Sequence, residues 1–481
     1  MDTVSKPIAT TDVADFVGLT VGSSVSRVIY DFLTHKVKSG VSIKVGSGKT
    51  HTLRIGKENV EFGYLGFGSF KKNPIPTFLS DMALINPQDL KAELDSLTGR
   101  KLVSDPWEKL LWCDPSAIVI TPYHKAWSQI MELIKVKKNR GTLGSGAGKA
   151  YFRASDAPER ALYAGELRAR DVVRRKLIDT RDYVYMLIKD LSLPALPENA
   201  TKEDQARYKK DQEIFNDLSK WFNDEGDMLL ESVVDAYEFV GVRLQFLTLP
   251  EALRKFPGTA VIERSHGVLA DAQVGFKPFV SNLRAIPQLF DQRLRLAGYK
   301  GPIKRYGVHR AYEYRHNPGP MPTYRPRLRK DLGIAPRRSE NRFRGPVRAG
   351  ALDLPMMAYA ISCCGGPDAF NGLIITCFDQ IIPLREWNIC VRYLRNGGLL
   401  PLDERLTTEI ISSVSTVDYQ IKFKMDQVKD EKSLYEFVNN NLTEYLDFGD
   451  KRISKTIPVV GISYGTGDSR MLWRLNKQKH I

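Results

Sequence analysis

At 481 residues the chain can bury a large core, as one α/β domain with insertions or as two domains. Its 71 Lys and Arg against 56 Asp and Glu leave a net charge of +15, which favours polyanionic partners; the plainer alternative is a basic protein whose charge has no single purpose. Five cysteines without a C-x-x-C pair argue against a zinc site or a disulfide framework, and no apolar run reaches the eighteen or so residues of a membrane span.

From Asp15 to about Pro87, short alternating runs are punctuated by glycine: Phe16-Val-Gly-Leu, Val41-Ser-Ile-Lys-Val, Thr52-Leu-Arg-Ile, Val60-Glu-Phe-Gly-Tyr-Leu and Met82-Ala-Leu-Ile. Their period of two predicts strands. Pro87 then opens a helix, with Asn86 as its N-cap. Residues 1–155 are expected to form the first part of an α/β core. Residues 156–255, rich in Glu, Lys, Arg, Ala and Leu at helical spacing, are expected to form a helical insertion. Residues 256–481 should complete the core, with arginine, proline and tyrosine crowding 293–348 into long surface loops. A helix is predicted from Lys432 to about Tyr445, then a strand Ile457-Pro-Val-Val-Gly-Ile-Ser463 and a glycine-rich loop. The amino terminus Met1-Asp-Thr-Val-Ser-Lys has no apolar signal core, so a cytoplasmic protein is expected.

Several short motifs carry chemistry. Gly372-Leu-Ile-Ile-Thr-Cys-Phe-Asp379 ends an apolar strand on one acid, where open α/β sheets keep ligand contacts. Val45-Gly-Ser-Gly-Lys-Thr50 imitates the end of a phosphate-binding P-loop, but its first glycine would fall on Ile43 and a strand pattern, not a helix, follows Thr50.

In order along nearly the whole chain, these segments resemble the adenylosuccinate synthetase family. Lys49-Thr-His-Thr-Leu53 is similar to the family's Ala-Gly-His-Thr-Leu, which implies that His51 is a general acid. Gly141-Thr-Leu-Gly-Ser-Gly-Ala-Gly148 resembles the loop that wraps a nucleotide monophosphate, implying Gly141, Thr142, Gly144, Gly146 and Gly148 as nucleotide contacts. Glu263-Arg-Ser-His-Gly267 and Pro278-Phe-Val-Ser281 add His266 and Ser281, while Asp379, Ser463 and Gly465 stand where the family reads its guanine. Arg315 with Gly319-Pro-Met-Pro-Thr323, and Arg348-Ala-Gly-Ala-Leu-Asp353, resemble the amino-acid side, implying Gly319, Thr323 and Arg348, with Arg342 and Arg344 as neighbours. The resemblance implies an α/β fold with a central, mostly parallel sheet, helices on both faces and Mg2+ held near Gly22 and Thr50.

The first loop departs from the family's Gly-Asp-Glu-Gly-Lys-Gly-Lys. Gly22-Ser-Ser-Val-Ser-Arg-Val28 puts Ser23 at the catalytic acid and leaves Arg27 as the adjacent cation. Val25, β-branched, replaces a glycine that lets backbone approach phosphate. Serine at this position resembles the viral branch of the family that makes 2-aminoadenylosuccinate from dGMP, although that branch keeps the Gly and Lys cradle. Ordinary use of GTP or ATP is therefore not expected.

Three readings stay open. The first is a ligase joining an amino acid, aspartate by default, to a phosphate-activated purine nucleotide. The second is a member that has lost catalysis and serves as a nucleic-acid-binding or structural protein. The third transfers an amino acid to a base already activated within DNA, with the arginine-rich loops, including Tyr312 and Tyr314, holding the polymer. The resemblance leaves room for a homodimer.

Overall fold

The computed structural model describes residues 7–474 except 23, 49–50, 56–57, 104–105, 136–140, 143, 317, 335–346, 397, 400–405, 415–419, 447–455 and 465–469. Ser23, Thr50, Arg342, Arg344 and Gly465 lie outside the described residues. Among the described residues no helix is long and apolar enough to cross a membrane.

The first strand, Thr10–Gly18, sits near the middle of the sheet. Beyond it on one side lie Gly258–Arg264, Gly40–Ser47, Thr77–Ile85, Leu111–Cys113 and Gln245–Phe246. On the other lie Ile303–Arg310, Gly372–Thr376, Val459–Tyr464 and Arg470–Trp473. Every neighbouring pair along this path is parallel except the last. This is the expected mostly parallel α/β sheet, covered on both faces. Val13 and Val17 point to one face and Ala14 and Phe16 to the other, and all four are buried.

Local chemistry explains the boundaries. Asn86 caps helix Pro87–Gly99, its side chain accepting from the amides of Gln88 and Asp89. Helix Glu431–Tyr445 is similarly capped by Asp430. The segment after the P-loop imitation is a hairpin, His51–Ile55 with Glu58–Phe62, as its period of two predicts. Helices Arg170–Ile188, Lys202–Ser219 and Asp224–Arg243 occupy the charged stretch.

The arginine-rich stretch corrects an expectation. Ile303–Arg310 is a central strand rather than a surface loop, and Arg305, His309, Tyr312, Tyr314 and Arg315 are all buried. Composition misleads there because the arginines find internal acceptors. After Asp379 the chain forms strand Glu386–Cys390, which belongs to a separate three-stranded sheet with Leu352–Asp353 and Gln420–Lys424. All five cysteines are free thiols; Cys113, Cys364 and Cys390 are buried.

Candidate functional site

The chain leaves the first strand, builds the sheet outward, then returns to lay Gly258–Arg264 beside it before extending the other half. Strand order therefore reverses around Thr10–Gly18, and the carboxyl ends there are the natural place for a ligand. Three glycine-bearing loops crowd at those ends. A Cβ on Gly22 would sit 1.7 Å from the carbonyl oxygen of Tyr314, one on Gly267 would sit 1.8 Å from that of Thr20, and one on Gly48 would sit 2.6 Å from the Tyr64 ring.

His51 opens the hairpin beside this crowding. Its Nδ1 lies 3.1 Å from Ser26 Oγ, at the start of helix Ser26–Lys36, and its ring meets Phe67 edge-on at 5.1 Å. The hairpin's return is clamped by Glu93, whose carboxylate accepts from the amides of Gly63, Tyr64 and Leu65 at 2.6 to 3.1 Å. His51 is thus set by aromatic packing and by a hairpin whose return is clamped at its backbone. Arg27 Nε is buried without a hydrogen-bond partner.

The predicted monophosphate loop is kinked by left-handed Gly144 and Gly146, φ +67° and +81°, and Gly146 precedes helix Ala147–Asp156. A Cβ on Gly146 would sit 2.7 Å from Lys125 N. Gln129 Nε2 donates to Gly144 O at 3.0 Å, and Gly141 N donates to the buried Glu132 at 2.9 Å. Asn282, next to Ser281, donates to Gly148 O at 3.2 Å, so these two motifs meet. The Thr142 hydroxyl accepts from Gly144 N at 3.2 Å, and His266 Nδ1 lies 2.9 Å from Ser265 Oγ.

The amino-acid candidates converge closely. Strand Glu313–Arg315 pairs with Arg348–Gly350, setting Arg315 opposite Arg348. Arg315 donates to the carbonyls of Pro318 and Pro320 at 3.1 and 3.3 Å, and Arg348 Nη2 to Gly319 O at 2.9 Å. Burial pushes the Arg315 guanidinium down to about 10, and the like charge of Arg348 adds to this; burial also lowers Arg348. Thr323 Oγ1 is buried among them without a hydrogen-bond partner. Two guanidiniums and a buried hydroxyl side by side have the donor geometry that suits an anion such as a carboxylate.

Asp379 lies in the short turn Phe378–Gln380 after the strand, where burial raises its carboxyl and Arg310 opposes the rise. Arg310 ties this lip to the first loop: Nε donates to Gly22 O at 2.8 Å, and Nη1 reaches Tyr312 OH at 3.1 Å and Cys377 Sγ at 3.2 Å. Ser463 is buried in strand Val459–Tyr464.

Sequence motifs missed two buried networks. Asp15 receives Arg264 Nε and Nη2 at 2.8 and 3.0 Å and Arg305 Nε at 3.1 Å, and Arg305 continues to Asp291 at 2.6 and 2.7 Å. Burial pushes the Asp15 carboxyl up, and the two guanidiniums more than reverse it, leaving it below its usual range. His309 Nδ1 faces Arg310 O at 2.6 Å while Nε2 faces Glu313 Oε1 at 2.9 Å and Thr20 Oγ1 at 3.1 Å. Two acceptors on opposite ring nitrogens call for the imidazolium; burial opposes that charge, but Glu313 wins and raises the pKa. These contacts join three adjacent strands, and only the strand order reveals them.

No group of three His, Cys, Asp or Glu side chains among the described residues converges on a cation position, and the Gly22 carbonyl accepts from Arg310.

Fold and site together define a doubly wound α/β protein with its polar groups at the strand-order reversal. The chain belongs to the adenylosuccinate synthetase family, whose model, described as adenylosuccinate synthetase, matches residues 17–472. It is 25% identical over 475 aligned positions to adenylosuccinate synthetase of Thermoplasma volcanium, covering 94% of this chain and 95% of that one. To the Aquifex aeolicus protein of the same name it is 23% identical over 458 positions, covering 92% and 93%. The fully ligated adenylosuccinate synthetase of Plasmodium falciparum shares the fold, with TM-score 0.68 and 16% identity over 96% of this chain and 100% of that one.

Proposed function

We propose that the chain joins an amino acid, aspartate by default, to a phosphate-activated purine nucleotide. The observation that carries this reading is the convergence of Arg315, Arg348 and Thr323 on the Gly319 turn, whose carbonyl accepts from Arg348. A dicarboxylic amino acid is the kind of anion that this pair of guanidiniums and the Thr323 hydroxyl would take up. The Gly141 to Gly148 loop with Ser281 would hold the nucleotide's phosphate, Asp379 would face its base or that of the phosphoryl donor, and His266 would border the nucleotide.

His51 would act on the purine oxygen. A Ser26 O–H donating to Nδ1 would leave the ring proton on Nε2, the form that can donate as the carbon–oxygen bond breaks. Mg2+ would supply charge neutralisation of a transferring phosphoryl group, held by the substrate's phosphates and the Gly22 carbonyl.

The first loop argues for weak triphosphate binding. Val25 precedes the helix in αR conformation, Ser26 is turned to His51, and Arg310 donates to the Gly22 carbonyl. GTP should bind with a dissociation constant weaker than roughly 100 μM. The same observation favours a second reading, a family member without catalysis. Burial of Tyr312 and Tyr314 removes two of the stacking platforms that a nucleic-acid role would use. Arg348→Ala should raise the aspartate KM by about 10-fold or more while leaving the nucleotide KM within about 2-fold. Product formation with no such KM change would overturn the assignment of the amino-acid side, and absence of any product would favour the second reading.

A further inference from the structure

The chain's net charge of +15 is unevenly compensated along its surface. On the charged helices the exposed cations meet acids: Arg170 reaches Glu231, Asp235 and Glu238 at 2.5 to 3.0 Å, and Arg174 reaches Glu231 at 2.7 Å. The segment Tyr324-Arg-Pro-Arg-Leu-Arg-Lys330 is different. It carries four cations and no acid in seven residues, with Asp331 following it. Among the described residues none forms an ion pair with Arg325, Arg327 or Lys330.

The packing beneath fixes this segment and turns its charge outward. Leu328 and Leu332, four apart at the short helix Leu328–Asp331, are buried in the core, while Arg327 and Lys330 are exposed. Tyr324 bridges to Gly350, Arg325 N donates to Ala349 O at 3.0 Å, and Ala351 N donates to Thr323 O at 3.2 Å. The segment is therefore stitched to the strand Arg348–Gly350, on the rim of the Arg348 and Thr323 cluster. Tyr324 is 44% exposed, whereas Tyr312 and Tyr314 are buried.

Closely spaced like charges repel one another, and a polyanion relieves that repulsion while its own counterions are released. An exposed aromatic ring among the cations adds a stacking surface for an unpaired base, which a duplex does not present. An acidic peptide or a lipid headgroup would use the charge and leave the ring idle. We propose that Tyr324, Arg325, Arg327 and Lys330 form a docking surface for single-stranded nucleic acid, with the cations on its phosphates and Tyr324 stacked on a base. This partner goes beyond the ligase reading and does not depend on it, since the surface lies outside the His51 cluster and the Gly141 to Gly148 loop.

The test is a fluorescence-anisotropy titration of the full chain with a labelled oligothymidylate of about 20 nucleotides, starting at about 50 mM salt. Saturable binding is expected, with a log–log salt slope of about −0.7 per phosphate contact. Arg327→Ala with Lys330→Ala should weaken it at least about 10-fold and flatten the slope by about 1.4. Tyr324→Ala should weaken it at least about 5-fold with the slope unchanged, and Tyr324→Phe, which keeps the ring, should stay within about 2-fold. Lys209→Ala with Lys210→Ala, exposed cations on helix Lys202–Ser219, should also stay within about 2-fold. Far-UV circular dichroism checks folding; if the alanine pair is unfolded, Arg327→Gln with Lys330→Gln decides. Absence of binding, equal weakening by the two cation pairs, or indifference to Tyr324→Ala would overturn the proposal. So would displacement of the oligonucleotide by excess IMP, which would assign it to the nucleotide site, or by phosphatidylserine vesicles whose binding ignores Tyr324→Ala, which would assign the cations to a membrane.

Discussion

Replacing Asp15 by Asn perturbs the buried network without changing its shape. Asp15 is fully buried and is the acceptor for both Arg264 and Arg305, whereas Arg305 keeps Asp291 as a second partner. The substitution therefore strands Arg264, which precedes the Ser265 to Gly267 loop, and turns an amide donor toward a guanidinium. Breaking one side of a buried pair costs about 3–5 kcal/mol, and the surviving Asp291 contact puts the expectation at the lower end, about 3 kcal/mol at pH 7. The folded carboxyl lies below its usual pKa, so this stabilisation is present above the unfolded value of about 3.9 and is lost as pH falls through the depressed folded value. Urea titrations followed by far-UV circular dichroism and tryptophan fluorescence, with coincident transitions, give the difference. A loss below about 1 kcal/mol at pH 7 would refute the claim that the network holds these strands together.

Three further outcomes are expected. His51→Ala should lower turnover by about 10²-fold with nucleotide binding nearly intact, since proton donation is a transition-state role; equal turnover would return His51 to hairpin packing. Gly319→Ala should raise the aspartate KM by about 10-fold, because φ is +118° and the new Cβ would fall 2.3 Å from Arg315 Nη2; kinetics with unchanged KM would show that this turn does not shape the receptor. Asp353, raised by burial and then by Glu313 to about 7, favours the folded state fully below its unfolded pKa and progressively loses that advantage as pH rises toward 7, by up to about 4 kcal/mol. Asp353→Asn should flatten this fall in melting temperature between pH 5 and 8, and an unchanged slope would assign it elsewhere.

The parallel sheet was legible because its strands carry β-branched runs and its helix starts carry caps, as at Asn86. Motif order pointed to His51, Gly319, Thr323 and Arg348, and the structure gathers the last three around Arg315. The arginine-rich stretch misled because composition cannot see pairing: Arg305 is buried and Arg310 half-buried against Asp15, Asp291 and the Gly22 carbonyl, which are distant in sequence. The His309 and Glu313 pair was equally hidden, since an i, i+4 spacing outside a helix gives no expectation of contact.

The most direct measurement incubates the purified chain with aspartate, GTP and either IMP or dGMP, and reads the nucleotide pool by mass spectrometry. A succinylated purine nucleotide whose formation requires both His51 and Arg348 is the predicted result. Unchanged nucleotides with both acceptors, at GTP concentrations above 1 mM to offset the weak binding of roughly 100 μM or more, would contradict the ligase reading.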